Sequence, residues 1–129
     1  MKTPPIPKNE NTRLAVLRDL RILDSAIEDS YDQITRLAAL LCDVPVCLIT
    51  LVDKDRQWFK SRYGLDISET PREVSFCAHA INHDGTLIIP DASKDEPFQD
   101  NPFVVNPLLK GLGKSSKFFP CFNSSYFFV

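Results

Sequence analysis

Two periods of apolar residues run through this chain, and the switches between them mark its elements. From Thr12, Leu14, Leu17, Leu20 and Leu23 recur every third residue with Arg13, Arg18 and Arg21 between them, which predicts a helix with one apolar side. Before it, Pro4, Pro5 and Pro7 forbid a regular helix, so residues 1–11 read as an extended lead-in. A second helix follows. Ser25 with Glu28, and Ser30 with Gln33, are overlapping capping-box pairs. Ile34, Leu37, Ala38 and Leu41 have the spacing of a stripe aimed at a core. Pro45 disfavours a helical residue before it, which ends this helix near Cys42 or Asp43.

The period then drops to two. Val46–Val52 is apolar at both alternating sets of positions and reads as a strand covered on both faces. The polar run 53–56 turns the chain into an antiparallel partner at 57–62, with Trp58 and Lys60 on one face and Phe59 and Ser61 on the other. Gly64 and Pro71 bracket a loop. Ser75 is placed to cap a short helix through about Asn82, burying Phe76, Ala80 or Ile81. Asp84-Gly85 leads into a third strand at 87–89, ended by Pro90, and 91–107 reads as irregular with one helical turn near 97–100.

Composition narrows the function classes. The 129 residues, 43% hydrophobic and 25% charged, suit one soluble domain with a single core. The net charge is −2, but Lys110, Lys114 and Lys117 all follow the last acidic residue, Asp100, so residues 1–100 carry −5, the whole charge less +3. Such a domain is a poor phosphate-backbone binder, and no nucleic-acid partner is expected. The longest apolar run, 44–52, is too short to span a membrane. Cys42, Cys47, Cys77 and Cys121 form no C-x-x-C pair, and the polar, Pro-rich start is no secretory leader, so reduced thiols and a cytoplasmic location are expected.

Candidate chemistry concentrates between Glu69 and Val104, ETPREVSFCAHAINHDGTLIIPDASKDEPFQDNPFV. His79 and His83, four apart, share a helix face as a two-His metal site does, with Asp84 as a third donor, yet the glutamate of H-E-x-x-H is absent and no metal is assigned. Cys77 at a helix start can have a lowered pKa and act as a nucleophile with His79 or His83 as base; its apolar neighbours Phe76, Ala78 and Ala80 favour buried packing instead. Arg72 can pair with the acidic set Asp91, Asp95, Glu96 and Asp100, or clamp a loop, and Asp91 and Asn101 suit caps and Asx-turns.

With the preceding QWFKSRYGL, this stretch resembles the GAF sensory domains at the front of bacterial signalling proteins such as sensor histidine kinases and diguanylate cyclases. The resemblance runs from about Pro7 to Pro107. It implies an α+β fold: a GAF/PAS-like antiparallel sheet flanked by helices. After the Asn-Pro segment the family continues with an aromatic strand, a turn and a Gly-rich strand, none of which is visible here. Residues 12–107 are therefore expected to be a partial GAF domain, and 108–129 an atypical linker and Phe-rich tail, native or a frameshift product.

The resemblance further implies a non-catalytic sensory module, with any kinase or cyclase activity in an output domain outside this chain. A small-molecule ligand is implied, bordered by Arg72, Phe76, Cys77, His79, Asp91 and Asn101, with no cofactor identified and affinity impaired by the lost strands. The alternative is a thiol-dependent enzyme or chromophore-binding GAF domain using Cys77 with His79. The signature of cyclic-nucleotide GAF domains is absent. The Leu14–Leu23 stripe is either core or, since amphipathic N-terminal helices pair easily, a homodimer contact; core packing is the commoner outcome.

Overall fold

A computed structural model describes residues 2–106 and the backbone of Phe127 and Phe128. The rest of the tail, with Cys121, lies outside the described residues. The first strand, β1 (Cys47–Val52), is buried at every position, as its two apolar faces require. It pairs antiparallel with β2 (Arg56–Tyr63), and β3 (Glu69–Pro71) joins the other edge of β2 inside the stretch expected to be loop. Phe127–Phe128 form β4 and pair antiparallel with Ile49 and Thr50 of β1. The sheet order is β3-β2-β1-β4, and with helices on both faces the fold is α+β.

One irregularity reassigns a face. Ile49 pairs with Ser61 but Thr50 with Phe59, leaving Lys60 as the extra residue of a bulge. Strict alternation put Ser61 with Phe59. The bulge instead turns Ser61 and Lys60 to the same side: the Ser61 hydroxyl meets Thr35 at 2.9 Å, and Lys60 Nζ donates to Ser25 Oγ at 2.8 Å and the Ala26 carbonyl at 2.7 Å. A Glu28 carboxylate at 2.6 Å balances the enclosed ammonium.

That side carries two helices. The first, α1 (Glu10–Asp19), begins two residues before the expected Thr12, and its Leu14 and Leu17 pack with Leu51 and Trp58. Leu20 lies past its end and is exposed. The second, α2 (Asp29–Cys42), ends where Pro45 required, on Asp43 in the left-handed region at φ 52°. Its start and its face both differ from expectation. Glu28 is the N-cap but its side chain makes no capping bond, and Ser25 donates to the Ile22 carbonyl instead of forming a capping box. The residues against the sheet are Thr35 and Ala39, while Ile34, Leu37 and Leu41 are 45%, 57% and 76% exposed. Thr35 tolerates burial because its hydroxyl reaches Ser61 and the Asp32 carbonyl, and Ala39 lets the helix approach closely.

The opposite face holds α3 (Phe76–Ala80), where Ser75 is the cap as expected, its hydroxyl accepting from the Ala78 N–H at 3.0 Å. Cys77, Ala78 and Ala80 pack on Val52, whereas Phe76 and Ile81 are only half-buried. The expected strand at 87–89 is reduced to a single bridging residue, Leu87. Ile89, Ala92 and Phe98 form a separate small cluster. The helical turn expected near 97–100 lies instead at α4 (Pro102–Val105), where Asn101 is the N-cap and Pro102 opens the first turn.

Candidate functional site

Thr50 of β1 is fully buried and polar, so its hydroxyl needs a partner. Gln57 of β2 supplies it, donating from Nε2 to Thr50 Oγ1 at 2.9 Å and to Cys77 Sγ at 3.2 Å. Ser75 closes the set by donating to Gln57 Oε1 while its own oxygen caps α3. Thr50 also faces Cys77 Sγ at 3.6 Å. Two strands and the start of α3 are thus joined by one enclosed polar network.

Above it lies a cavity of about 50 Å³. Gln57, Ser75 and Cys77 form its polar floor; Leu48, Phe59, Phe76 and Phe103 supply much of its apolar wall, and Thr70 enters from β3. Thr70 Oγ1 is buried with no hydrogen-bond partner, alone in this among the described residues. Asn101 places the Phe103 wall: its side chain donates to the Val74 carbonyl at 2.8 Å and accepts from the Phe103 N–H at 2.9 Å.

Of the six residues expected to border a ligand, the structure brings only Phe76 and Cys77 to this cavity. Arg72 is turned away. Instead of the acidic set at 91–100 it meets Glu10 of α1 and the carbonyls of Asp53 and Lys54, each at 3.1 Å, so it clamps the β1–β2 turn. His79 points outward, its Nε2 at 3.1 Å from the Lys2 carbonyl oxygen and its ring edge-on to Phe98. Burial pushes the His79 pKa down, opposed by the Lys2 carbonyl. Asp91 accepts from Ser93 and pairs with Lys94, which hold its carboxyl below the usual carboxylate range. Asn101 serves the cavity only through Phe103.

Cys77 is 1% exposed, and its sulfur lies against Gln57 and Thr50 while His79 is engaged elsewhere. Among the described residues, no three His, Cys, Asp or Glu side chains converge to hold a metal. Sequence reasoning missed Thr50, Gln57, Thr70 and Phe103. The signal available was polar residues inside strands: Gln57 shares Phe59's alternation, and Thr50 interrupts an otherwise apolar strand.

An antiparallel sheet flanked by helices is the arrangement the resemblance implied. The family model for the GAF domain matches residues 26–115, and the chain belongs to that family. A curated relative is the cyclic di-GMP phosphodiesterase PA2567 of Pseudomonas aeruginosa, 40% identical over 104 residues. The match covers 81% of this chain but 18% of that protein, so the chain spans less than a fifth of the relative's length. Among the described residues, no helix is long and apolar enough to cross a membrane.

Proposed function

We propose that this chain is a non-catalytic sensory module of a bacterial, cytoplasmic signalling protein, regulating an output domain that carries the chemistry. The observation that carries the reading is the extent of the likeness. A GAF domain accounts for most of the chain and corresponds to a minor part of a protein named for phosphodiesterase activity. A cyclic di-GMP phosphodiesterase is therefore one candidate output, beside the kinases and cyclases that the family resemblance implies.

The site supports a binding role over a catalytic one. Its thiol is enclosed and hydrogen-bonded, and a nucleophile must reach its substrate. The cavity, about 50 Å³, is far smaller than the several hundred Å³ of sites for drug-sized ligands, so a nucleotide or tetrapyrrole is not expected to fit there. A GAF module transmits by biasing two packed arrangements of its own domain. The uneven charge, −5 over residues 1–100, favours neither nucleic acid nor anionic surfaces as partners. A second copy of the chain, meeting it through the exposed apolar flank of α2, is the favoured assembly.

The purified chain should neither hydrolyse cyclic di-GMP nor show a reproducible thermal shift with a panel of nucleotides and tetrapyrroles. Turnover by these 129 residues alone overturns the non-catalytic reading; saturable stabilisation by a nucleotide overturns the expectation of impaired ligand affinity.

A further inference from the structure

Thr70 sits between exposed Glu69 and Pro71 on β3 and is the one residue of that strand facing inward. It is 7% exposed, it lines the cavity, and its hydroxyl has no hydrogen-bond partner among the described residues. Across the ladder it pairs with Gln57, so the two side chains share a face. Gln57 cannot serve it as donor: Thr50 and Cys77 take its amide hydrogens, and Ser75 donates to its oxygen. Buried polar side chains in folded proteins are nearly always hydrogen-bonded, so an exception at a cavity wall points to something else that fills the gap.

The cavity limits what that is. None of its lining residues is charged, so an ionic ligand would be buried without compensation. Seven of the lining side chains, Leu48, Phe59, Leu65, Ile67, Val74, Phe76 and Phe103, are apolar. An apolar cavity of about 150 Å³ admits the six carbons of benzene, so one of about 50 Å³, open on one side, takes roughly two non-hydrogen atoms: the oxygen and adjacent carbon of a three- or four-atom molecule, with its remainder at the mouth. A threonine hydroxyl both donates and accepts, and meets either a hydroxyl or a carbonyl.

We propose that this cavity binds a small neutral oxygenated organic molecule, an alcohol, aldehyde or ketone, through a hydrogen bond to Thr70 Oγ1 and apolar contact with Phe59, Phe76 and Phe103. Ser75 and Cys77 of α3 stand at the same floor, so occupancy acts directly on the junction of β2 with α3. Its use as a signal rests on the sensory reading above. The binding itself does not.

The test is titration of the 129-residue protein with 1-propanol and with acetone, followed by amide chemical shifts, and in parallel with dissolved xenon, which fills apolar space without hydrogen bonding. Saturable shifts centred on Thr70, Gln57 and Cys77 are expected with both organic probes. Thr70→Val should weaken propanol and acetone about tenfold, the loss of one buried hydrogen bond, and leave xenon unaffected. Thr70→Ser keeps the hydroxyl and should keep the binding, which protects the test if the valine variant folds poorly. Shifts that rise linearly without saturation overturn the proposal, as does equal affinity in the serine and valine variants. A Thr70-bound water that saturating propanol fails to displace also overturns it. None of these failures touches the sensory reading, whose non-catalytic character the turnover assay decides separately.

Discussion

Glu10, in the first turn of α1, and Arg72, 62 positions later, form an ion pair whose side chains are 14% and 8% exposed. Arg13 donates to the same carboxylate at 2.9 Å and also reaches the Val52 carbonyl, while Arg72 holds the carbonyls of Asp53 and Lys54. One carboxylate therefore ties α1 to the end of β1 and the turn that follows it. Removing it leaves two guanidinium groups uncompensated, which is more damaging than loss of the pair as a unit. Glu10→Ala should lower unfolding free energy by about 3 kcal/mol in urea titration. Lys2→Ala, which breaks a pair 63% and 72% exposed, should change it by less than about 0.5 kcal/mol.

The same carboxylate makes stability depend on acid. Burial pushes the Glu10 pKa up, but hydrogen bonds from Arg72 and Arg13 outweigh it and bring it from 4.5 to about 2. A group held low in the folded state contributes stability present above its unfolded pKa and lost as pH falls through the folded one. The window is therefore pH 4.5 down to about 2. With partial exposure screening the charges, the loss there should be on the order of 2 kcal/mol. His79 has the same sign at higher pH: burial disfavours its charged form, so stability begins to decline as pH falls below 6.5. Unfolding free energies measured from pH 7 to pH 2 should show the larger loss vanish in Glu10→Gln; an unchanged profile in that variant would refute the assignment.

Gly64 and Gly85 both have positive φ, 78° and 96°, yet their surroundings differ. A Cβ on Gly64 would lie 1.9 Å from the Pro45 carbonyl oxygen, a backbone atom that cannot swing aside, whereas a Cβ on Gly85 meets nothing within 4 Å. Gly85→Ala carries only the left-handed backbone penalty, about 1 kcal/mol. Gly64→Ala adds displacement of the residues leading into β1 and should cost at least about 3 kcal/mol. Thermal unfolding of the two variants side by side measures the difference.

Thr70→Val should raise the stability of the ligand-free protein. The substitution keeps shape and removes a buried hydroxyl that has no partner among the described residues. Removing such a desolvated group returns about 1 kcal/mol, against the usual direction of core substitutions. A lower urea midpoint in the variant would mean that a protein group or tightly held water satisfies the hydroxyl.

The sequence already displayed the parts of this fold governed by local chemistry. The two-faced strand 46–52, the Ser75 cap and the helix end before Pro45 all rest on neighbouring residues, and all are present. What escaped depends on contacts distant along the chain. The bulge at Lys60 arises from pairing with β1 and changes the face of Ser61. Arg72 found Glu10 rather than the nearer acidic residues because α1 packs over the β1–β2 turn. The cavity floor needs Thr50, Gln57 and Ser75 from separate elements, and no spacing rule joins them. Periodicity found the apolar stripe of α2 correctly as a stripe, but it carries no information about which surface covers it.

That stripe leads to the last expectation. Successive helical residues turn by roughly 100°, so with Thr35 and Ala39 against the sheet, Ile34, Leu37, Ala38 and Leu41 gather along one flank. Asp32, on the other flank, accepts from Ser61 of β2. Leu37 and Leu41 are more than half exposed there, and the dimer proposed above would meet through them. The Leu37→Glu, Leu41→Glu double variant should keep its unfolding free energy within about 1 kcal/mol, since neither side chain lies in the core. Sedimentation at micromolar concentration should show the parent chain self-associating and the variant monomeric. A parent that is already monomeric removes the dimer reading, and a variant that fails to fold would show that these leucines are covered within the chain itself.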